Sequence, residues 1–440
     1  MEMNLQIPAD YIDLKKEVET CLALAKQQGF DCHAVEITQS ESQVITIGID
    51  KPLSLAILDS ASMDCIDDSN IDWLLDYNHS THLSLSAAAT LLAQQSKRIV
   101  LGLGHDNSFY DIWLHPLAID HNEKRATVFS TLGDNYQQTR HSAWLITLLA
   151  LEFPIEDALV LSRAAMNVSR ETWVKARPFF PTPVIECTDL NIHVGWSTND
   201  RCVAFPKLTK PSLGLYPVVD SVEWIERLLE LGIKTVQLRI KDPHCEDLEQ
   251  QIERSIRLGE QYQAQVFIND YWQLAIKHRA FGVHLGQEDI ECSNLTELSE
   301  AGICLGLSTH GYYELLRISQ VNPSYIALGH IFPTTTKDMP SKPQGLTRLK
   351  LYQQLIDTMP YQTRSEQEQN EALTVGFPTV AIGGIDQSTA PLVWQCGVSS
   401  LAVVRAITLS ANPRSVIDEF GEIMNVSRET TTADLLEDVC

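Results

Sequence analysis

Between Thr235 and Asp242 the chain sets Gln237, Arg239 and Lys241 alternately with Val236, Leu238 and Ile240. That period of two marks a β-strand with one aliphatic face and one face carrying an amide and two cations. Arg offers a fixed fork of donors and Lys a point charge, so the pair suits a ligand bearing several negative charges. Taken alone, a solvated edge strand would read the same way. Further polar residues follow downstream: Asn269 and Asp270, Asp289, Ser308, Thr334 to Lys337, Gly383-Gly384 and Arg405.

Each of these also has a plain structural use. Asp270 could cap a helix beginning at Tyr271, Asp289 and Ser308 could cap the loops after them, and Gly383-Gly384 could be a tight turn. Together they suggest chemistry. Asp270 and Asp289 suit Mg²⁺, which takes hard oxygen ligands, keeps several waters and typically uses one or two protein carboxylates with phosphate oxygens. Arg239, Lys241 and Lys337 around such an ion would hold a diphosphate. The Gly383-Gly384 backbone and the last loop stand where barrels often bind a phosphate monoester. A diphosphate beside a monophosphate points to joining two phosphorylated substrates, with diphosphate as the leaving group.

The elements that must position these residues form a regular series. Strands are expected at Leu215–Val219, from Val236 through Lys241, and at Gln265–Ile268, Gly282–Leu285, Cys304–Ser308, Tyr325–Leu328, Thr379–Ile382 and Leu401–Val404. Amphipathic helical stretches separate them, the last running from Pro413 to Met424. Roughly eight βα units in about 220 residues fit a (β/α)₈ barrel, where working residues sit at the C-terminal ends of strands. The polar set falls at those ends. Ahead of it, a helix over Leu83–Gln95, a strand over Arg98–His105 and apolar helices over Trp144–Ala165, broken near Pro154, indicate a separate α/β domain. The expected organisation is an accessory α/β domain over 1–205, a barrel over 206–425 and an acidic, disordered tail over 426–440.

The chain has 440 residues, too many for one ordinary domain, and a formal charge of −24. Such acidity excludes non-specific binding to nucleic acid or an anionic membrane and makes a locally positive pocket necessary for an anionic ligand. No stretch reads as a membrane span or signal peptide, and the 10 cysteines are scattered, so a cytoplasmic protein with reduced thiols is expected. Self-association is left open.

The segments Val236–Asp242, Phe267–Asp270, Gly282–Asp289, Gly306–His310, Gly329–Lys337 and Ala381–Ile385 resemble thiamine phosphate synthases, in order and at matching spacing from about Gly214 to Met424. The resemblance implies condensation of 4-amino-2-methyl-5-pyrimidinylmethyl diphosphate with 4-methyl-5-(2-phosphoethyl)thiazole. By the family's pattern Gln237, Leu238, Arg239, Ile240, Lys241, Asn269, Ser308 and Lys337 would contact the pyrimidine diphosphate, with Arg239, Lys241, Ser308 and Lys337 catalytic. Asp270 and Asp289 would bind Mg²⁺. Thr334, Thr335, Thr336, Gly384, Val404 and Arg405 would surround the thiazole phosphate. Pro333–Lys337 keeps the family's Pro-Thr-x-Thr-Lys form, whereas Arg405 stands where the family often has Ser. The resemblance further implies ionisation of the C–O bond before the thiazole nitrogen attacks. A thiazole tautomerase on the same barrel is one alternative, and a non-catalytic regulatory or binding protein another. The first half faintly resembles the C-terminal half of ribokinase-like hydroxymethylpyrimidine phosphate kinases. Where those have a Gly-rich anion loop, Gln137–Ala143 here has none. A degenerate accessory domain is the expectation.

Overall fold

The computed structural model describes residues 3–48, 51–58, 71–77, 83–106, 108–115, 125–131, 137–196, 203–334, 342–361 and 374–425. They divide into two compact units, one of Met1–Val194 with Gly311–Gln320, the other of Gly195–His310 with Val321–Cys440. The acidic tail and most of the polar stretch after Tyr361 lie outside the described residues.

The first unit holds a nine-stranded sheet of mixed direction. Met3–Pro8 pairs in parallel with Val35–Ser40, and Leu53–Leu58, Trp73–Asp76 and Arg98–His105 also run parallel. Ser108–His115 and Arg125–Thr131 then continue as an antiparallel meander. Helix Leu85–Gln94 starts where Ser84 Oγ accepts the Ala87 N–H at 3.2 Å, satisfying one of the donors a helix start leaves over. Helices Gln138–Ala150 and Ile155–Ala165 are almost wholly buried, polar residues such as His141, Asp157 and Arg163 included. They are separate helices because Pro154 has no N–H to carry the ladder across. The first begins within Gln137–Ala143, and Ser142 and His141 there are buried.

The second unit is a closed barrel of eight strands, each paired in parallel with its neighbours. In chain order they are β1 Leu215–Val219, β2 Thr235–Leu238, β3 Gln265–Asn269, β4 Gly282–Leu285, β5 Cys304–Thr309, β6 Tyr325–Gly329, β7 Thr379–Ile382 and β8 Ser400–Val403. Helices on the outside cover these strands, so consecutive residues are buried on both faces, as in all four residues of β2. Helix Val222–Glu230 illustrates the cover: Val222, Ile225, Leu228 and Leu229 form its buried stripe.

The strand expected through Lys241 is shorter. β2 ends at Leu238, because β1 ends at Val219 and the Arg239 N–H takes that last carbonyl at 2.7 Å. Beyond it Ile240 is buried and Lys241 exposed, so the alternation persists in a loop. Inside the barrel Tyr216, Val218, Phe267, Cys304, Tyr325, Ala327, Val380 and Ala402 pack into one cluster. Two glycines make room for its rings. A Cβ on Gly282 would stand 2.2 Å from Phe267 Cε1, and one on Gly306 2.2 Å from Tyr325 Cζ. Among the described residues no helix is long and apolar enough to cross a membrane.

Candidate active site

Strand register brings most of the sequence-predicted residues to one rim of the barrel. Gln237 is the third residue of β2, 5% exposed, and lies level with Phe267 of β3. Arg239 follows β2, half-buried, and Lys241 stands exposed two residues on. Leu238 and Ile240 are packed inside, at 1% and 9% exposure. Asn269 closes β3, level with His284 of β4.

Asp270 comes next with φ of 65°, a left-handed conformation that costs a side chain about 1–3 kcal/mol in general and that Asp tolerates better than most. Its N–H donates to His284 O at 3.0 Å, pinning the end of β3 to β4. The helix that follows, Trp272–Lys277, has Tyr271 at its cap position without a side-chain cap bond. Asp289 lies in a short helix, Gln287–Glu291, rather than in a loop. Its Oδ2 accepts the Gly286 N–H at 3.1 Å, so one carboxylate oxygen closes the start of its own helix instead of capping the loop after it as the sequence suggested. Gln287 Nε2 donates to Ser308 O at 2.7 Å, and Ser308 Oγ to Leu285 O at 3.4 Å, tying the end of β5 to the Asp289 helix.

On the opposite arc the loop after β6 runs beside the turn after β7. Ile331 N–H donates to Ile382 O and Phe332 N–H to Gly383 O, both at 3.0 Å. A Cβ on Gly384, where φ is 65°, would meet Pro333 O at 2.7 Å, so only glycine lets the two backbones approach this closely. Thr334 is the last described residue before a gap in that loop; Thr335, Thr336 and Lys337 lie outside the described residues. Val404 is half-buried and Arg405 exposed at the start of helix Arg405–Thr408. His330, in the same loop, is 6% exposed and its Nδ1 has no hydrogen-bond partner among the described residues. Burial, aided by the nearby His310, depresses its basicity.

Beneath the rim lies a polar chain that the sequence reading did not single out. Gln237 Nε2 lies 3.4 Å from Tyr216 Oη, Tyr216 Oη 2.8 Å from Tyr325 Oη, and Tyr325 Oη 2.8 Å from His284 Nδ1. The His284 ring stacks on Tyr325 with centroids 5.7 Å apart. Both tyrosines are buried, which pushes their phenols up and keeps them protonated. The signal was present: Tyr216, Gln237, His284 and Tyr325 are polar-tipped residues in strands that read as wholly buried, and buried polar tips need partners.

Among the described residues no group of three or more His, Cys, Asp or Glu is placed to hold a metal ion. A Mg²⁺ site of the kind inferred from sequence asks less, two carboxylates supplemented by water and phosphate, and Asp270 and Asp289 offer that donor type.

Comparison with known proteins gives a consistent result for the second unit. The family model described as thiamine monophosphate synthase matches residues 215–407. The thiamine-phosphate synthase of Proteus mirabilis is 54% identical over 208 residues, covering 47% of this chain and 88% of that protein. That of Pectobacterium atrosepticum is 56% identical over 200 residues, with 46% and 86% covered, and that of Salmonella typhimurium 52% over 218, with 49% and 94%. Among solved structures, thiamine phosphate pyrophosphorylase from Pyrococcus furiosus aligns at 26% identity and a TM-score of 0.41, over 49% of this chain and 96% of that one. With more than half the positions shared along nearly the whole length of such relatives, the chain belongs, through its barrel, to the thiamine monophosphate synthase family.

Proposed function

We propose that the protein is a thiamine phosphate synthase, condensing 4-amino-2-methyl-5-pyrimidinylmethyl diphosphate with 4-methyl-5-(2-phosphoethyl)thiazole to give thiamine phosphate and diphosphate. The observation that carries this reading is the clustering of Gln237, Arg239, Asn269, Asp270, Asp289 and Ser308 at the C-terminal strand ends of one barrel, in a chain more than half identical to proteins bearing that name. In this reading Gln237, Leu238, Arg239, Ile240, Lys241, Asn269, Ser308 and Lys337 surround the pyrimidine diphosphate, Leu238 and Ile240 through their backbone. Thr334, Thr335, Thr336, Gly384, Val404 and Arg405 surround the thiazole phosphate.

The chemistry needs no side-chain nucleophile. As the C–O bond opens, negative charge grows on the departing diphosphate, and Arg239, Lys241 and Lys337 supply positive charge to meet it. Asp270 and Asp289 would hold Mg²⁺, which when bound neutralises diphosphate oxygens as a Lewis acid. Asn269 and Ser308 orient the substrate so that the thiazole nitrogen faces the opening carbon. In this reading residues 206–425 form the catalytic barrel and 1–205 an accessory α/β domain, whose faint sequence resemblance to ribokinase-like kinases supports a degenerate form of that fold.

Incubating the purified full chain with both substrates, with and without Mg²⁺, tests the proposal by release of diphosphate and formation of thiamine phosphate. The expected result is equimolar, Mg²⁺-dependent production of both. Isomerisation of a thiazole without diphosphate release would replace the reading with a tautomerase, and no turnover of either kind with a regulatory protein.

A further inference from the structure

We propose that Tyr216 and Tyr325 are positioning residues whose hydroxyls form a one-way hydrogen-bond chain from the Gln237 amide to His284 Nδ1. The chain fixes His284 as its Nε2–H tautomer and turns Gln237 Oε1 toward a hydrogen-bond donor on the substrate. This deepens the reading given above and rests on it for the identity of that donor, the exocyclic amine of an aminopyrimidine.

The direction follows from counting protons. Gln237 Nε2, 3.4 Å from Tyr216 Oη, can only donate. Tyr216 is 1% exposed, so its own proton must find a protein acceptor, and Tyr325 Oη lies 2.8 Å away. Tyr325, fully buried, then cannot return its proton to Tyr216 and gives it to His284 Nδ1 at 2.8 Å. A nitrogen that accepts carries no proton, so in the neutral ring the proton sits on Nε2. An imidazolium would reverse the chain. Its Nδ1–H would donate to Tyr325 and Tyr325 to Tyr216, and the Tyr216 proton would find an acceptor only if Gln237 turned its Oε1 inward, which would point the amide nitrogen, a donor, at the substrate.

The packing serves the same end. Phe267 and Tyr325 meet edge to face with centroids 5.2 Å apart, and Tyr216 lies against both rings. Neither ring could occupy its place if Gly282 or Gly306 carried a side chain. Gly306 thus yields its space to the Tyr325 ring and hydroxyl, and Gly282 to the Phe267 ring that both tyrosines pack against. An amide whose nitrogen is committed inward presents its oxygen outward, and an acceptor there favours an amine over an analogue that lacks it or carries it fully alkylated.

The test is ¹⁵N NMR of the histidine-labelled full chain without substrate, with His284 identified by the signals lost in His284→Gln. The expected spectrum shows His284 protonated at Nε2 and unprotonated at Nδ1. Tyr325→Phe, which keeps the ring, should redistribute the tautomers and lower kcat/KM for the pyrimidine diphosphate about tenfold, the value of one such bond. Tyr216→Phe should move the His284 signals in the same sense. Wild-type His284 protonated at Nδ1 overturns the proposal, as does a spectrum indifferent to Tyr325→Phe. Because the tautomer is read without turnover, the predicted spectrum in a chain that fails the condensation assay would support the relay while removing the thiamine phosphate synthase reading.

Discussion

Both units bury neutral polar groups, Tyr77 with His141 and Ser142 in the first for instance, but among the described residues the closely paired buried charges lie in the N-terminal unit. In the N-terminal unit, Asp111 is fully buried and receives Arg163 through Nε at 2.8 Å and through Nη2, and also the Gly102 N–H at 2.7 Å. Asp76 is likewise gripped by Arg98, through Nε at 2.7 Å and through Nη2. There charge meets charge. Beneath the barrel's rim the relay is neutral, a buried amide, two buried phenols and a half-buried imidazole, and the cations Arg239 and Lys241 follow β2 at the mouth. A buried ion pair is self-contained and serves the fold. A neutral relay beneath a charged rim leaves the strong electrostatics for something that arrives, which is the arrangement of a site.

The sharpest way to break this contrast is to remove one partner on each side. Arg163→Ala strands a buried carboxylate and should cost about 3–5 kcal/mol of stability. Denaturant unfolding followed with a probe in each unit should show the N-terminal transition shift while diphosphate release per folded molecule is unchanged. Lys337→Ala and Asp270→Ala should do the reverse, each lowering kcat by about 10²–10³ with little change in melting. Retention of full turnover by either would remove that residue from the mechanism.

Gly306→Ala probes the relay's packing. The new methyl must displace the Tyr325 ring, at about 1–3 kcal/mol by the usual cost of overpacking, and calorimetry would read it. A smaller effect separates the units by pH. Partial burial, with the charges of Asp157 and Glu314 beside it, raises Glu156 from an ordinary 4.5 to about 7. The folded chain therefore holds this proton longer than the unfolded chain. Its contribution to stability is full below pH 4.5 and is lost as pH rises through 7. Glu156→Gln should flatten the stability profile across that window and leave it unchanged at lower pH. The smallest effect is expected from removing the residues before Lys207: turnover per folded molecule should persist, and a folded but inactive truncation would give the N-terminal unit a part in the chemistry.

Much of the barrel was legible because its signals are local. Each strand is a short β-branched or aliphatic run, each helix has its own apolar stripe, and eight repetitions leave few architectures. Asp289 was harder to place, since a five-residue helix carries too little periodicity to be seen. The end of β2 was misplaced because alternation continues through Ile240 and Lys241, although the strand that would pair with them has already ended. The relay was missed for a related reason. Tyr216 and Tyr325 are 109 positions apart, and nothing local in either strand announces a bond across the barrel.

The sequence by itself determined which groups are available and in what order the rim receives them, because residue type and strand periodicity are properties of short stretches of chain. Only closure of the barrel decided which of them meet. Register between strands distant in sequence sets Asn269 level with His284, lets Gly306 yield its space to Tyr325, and brings two phenols within one hydrogen bond of each other. Those are distances between chain segments, and they exist only once the sheet has closed on itself.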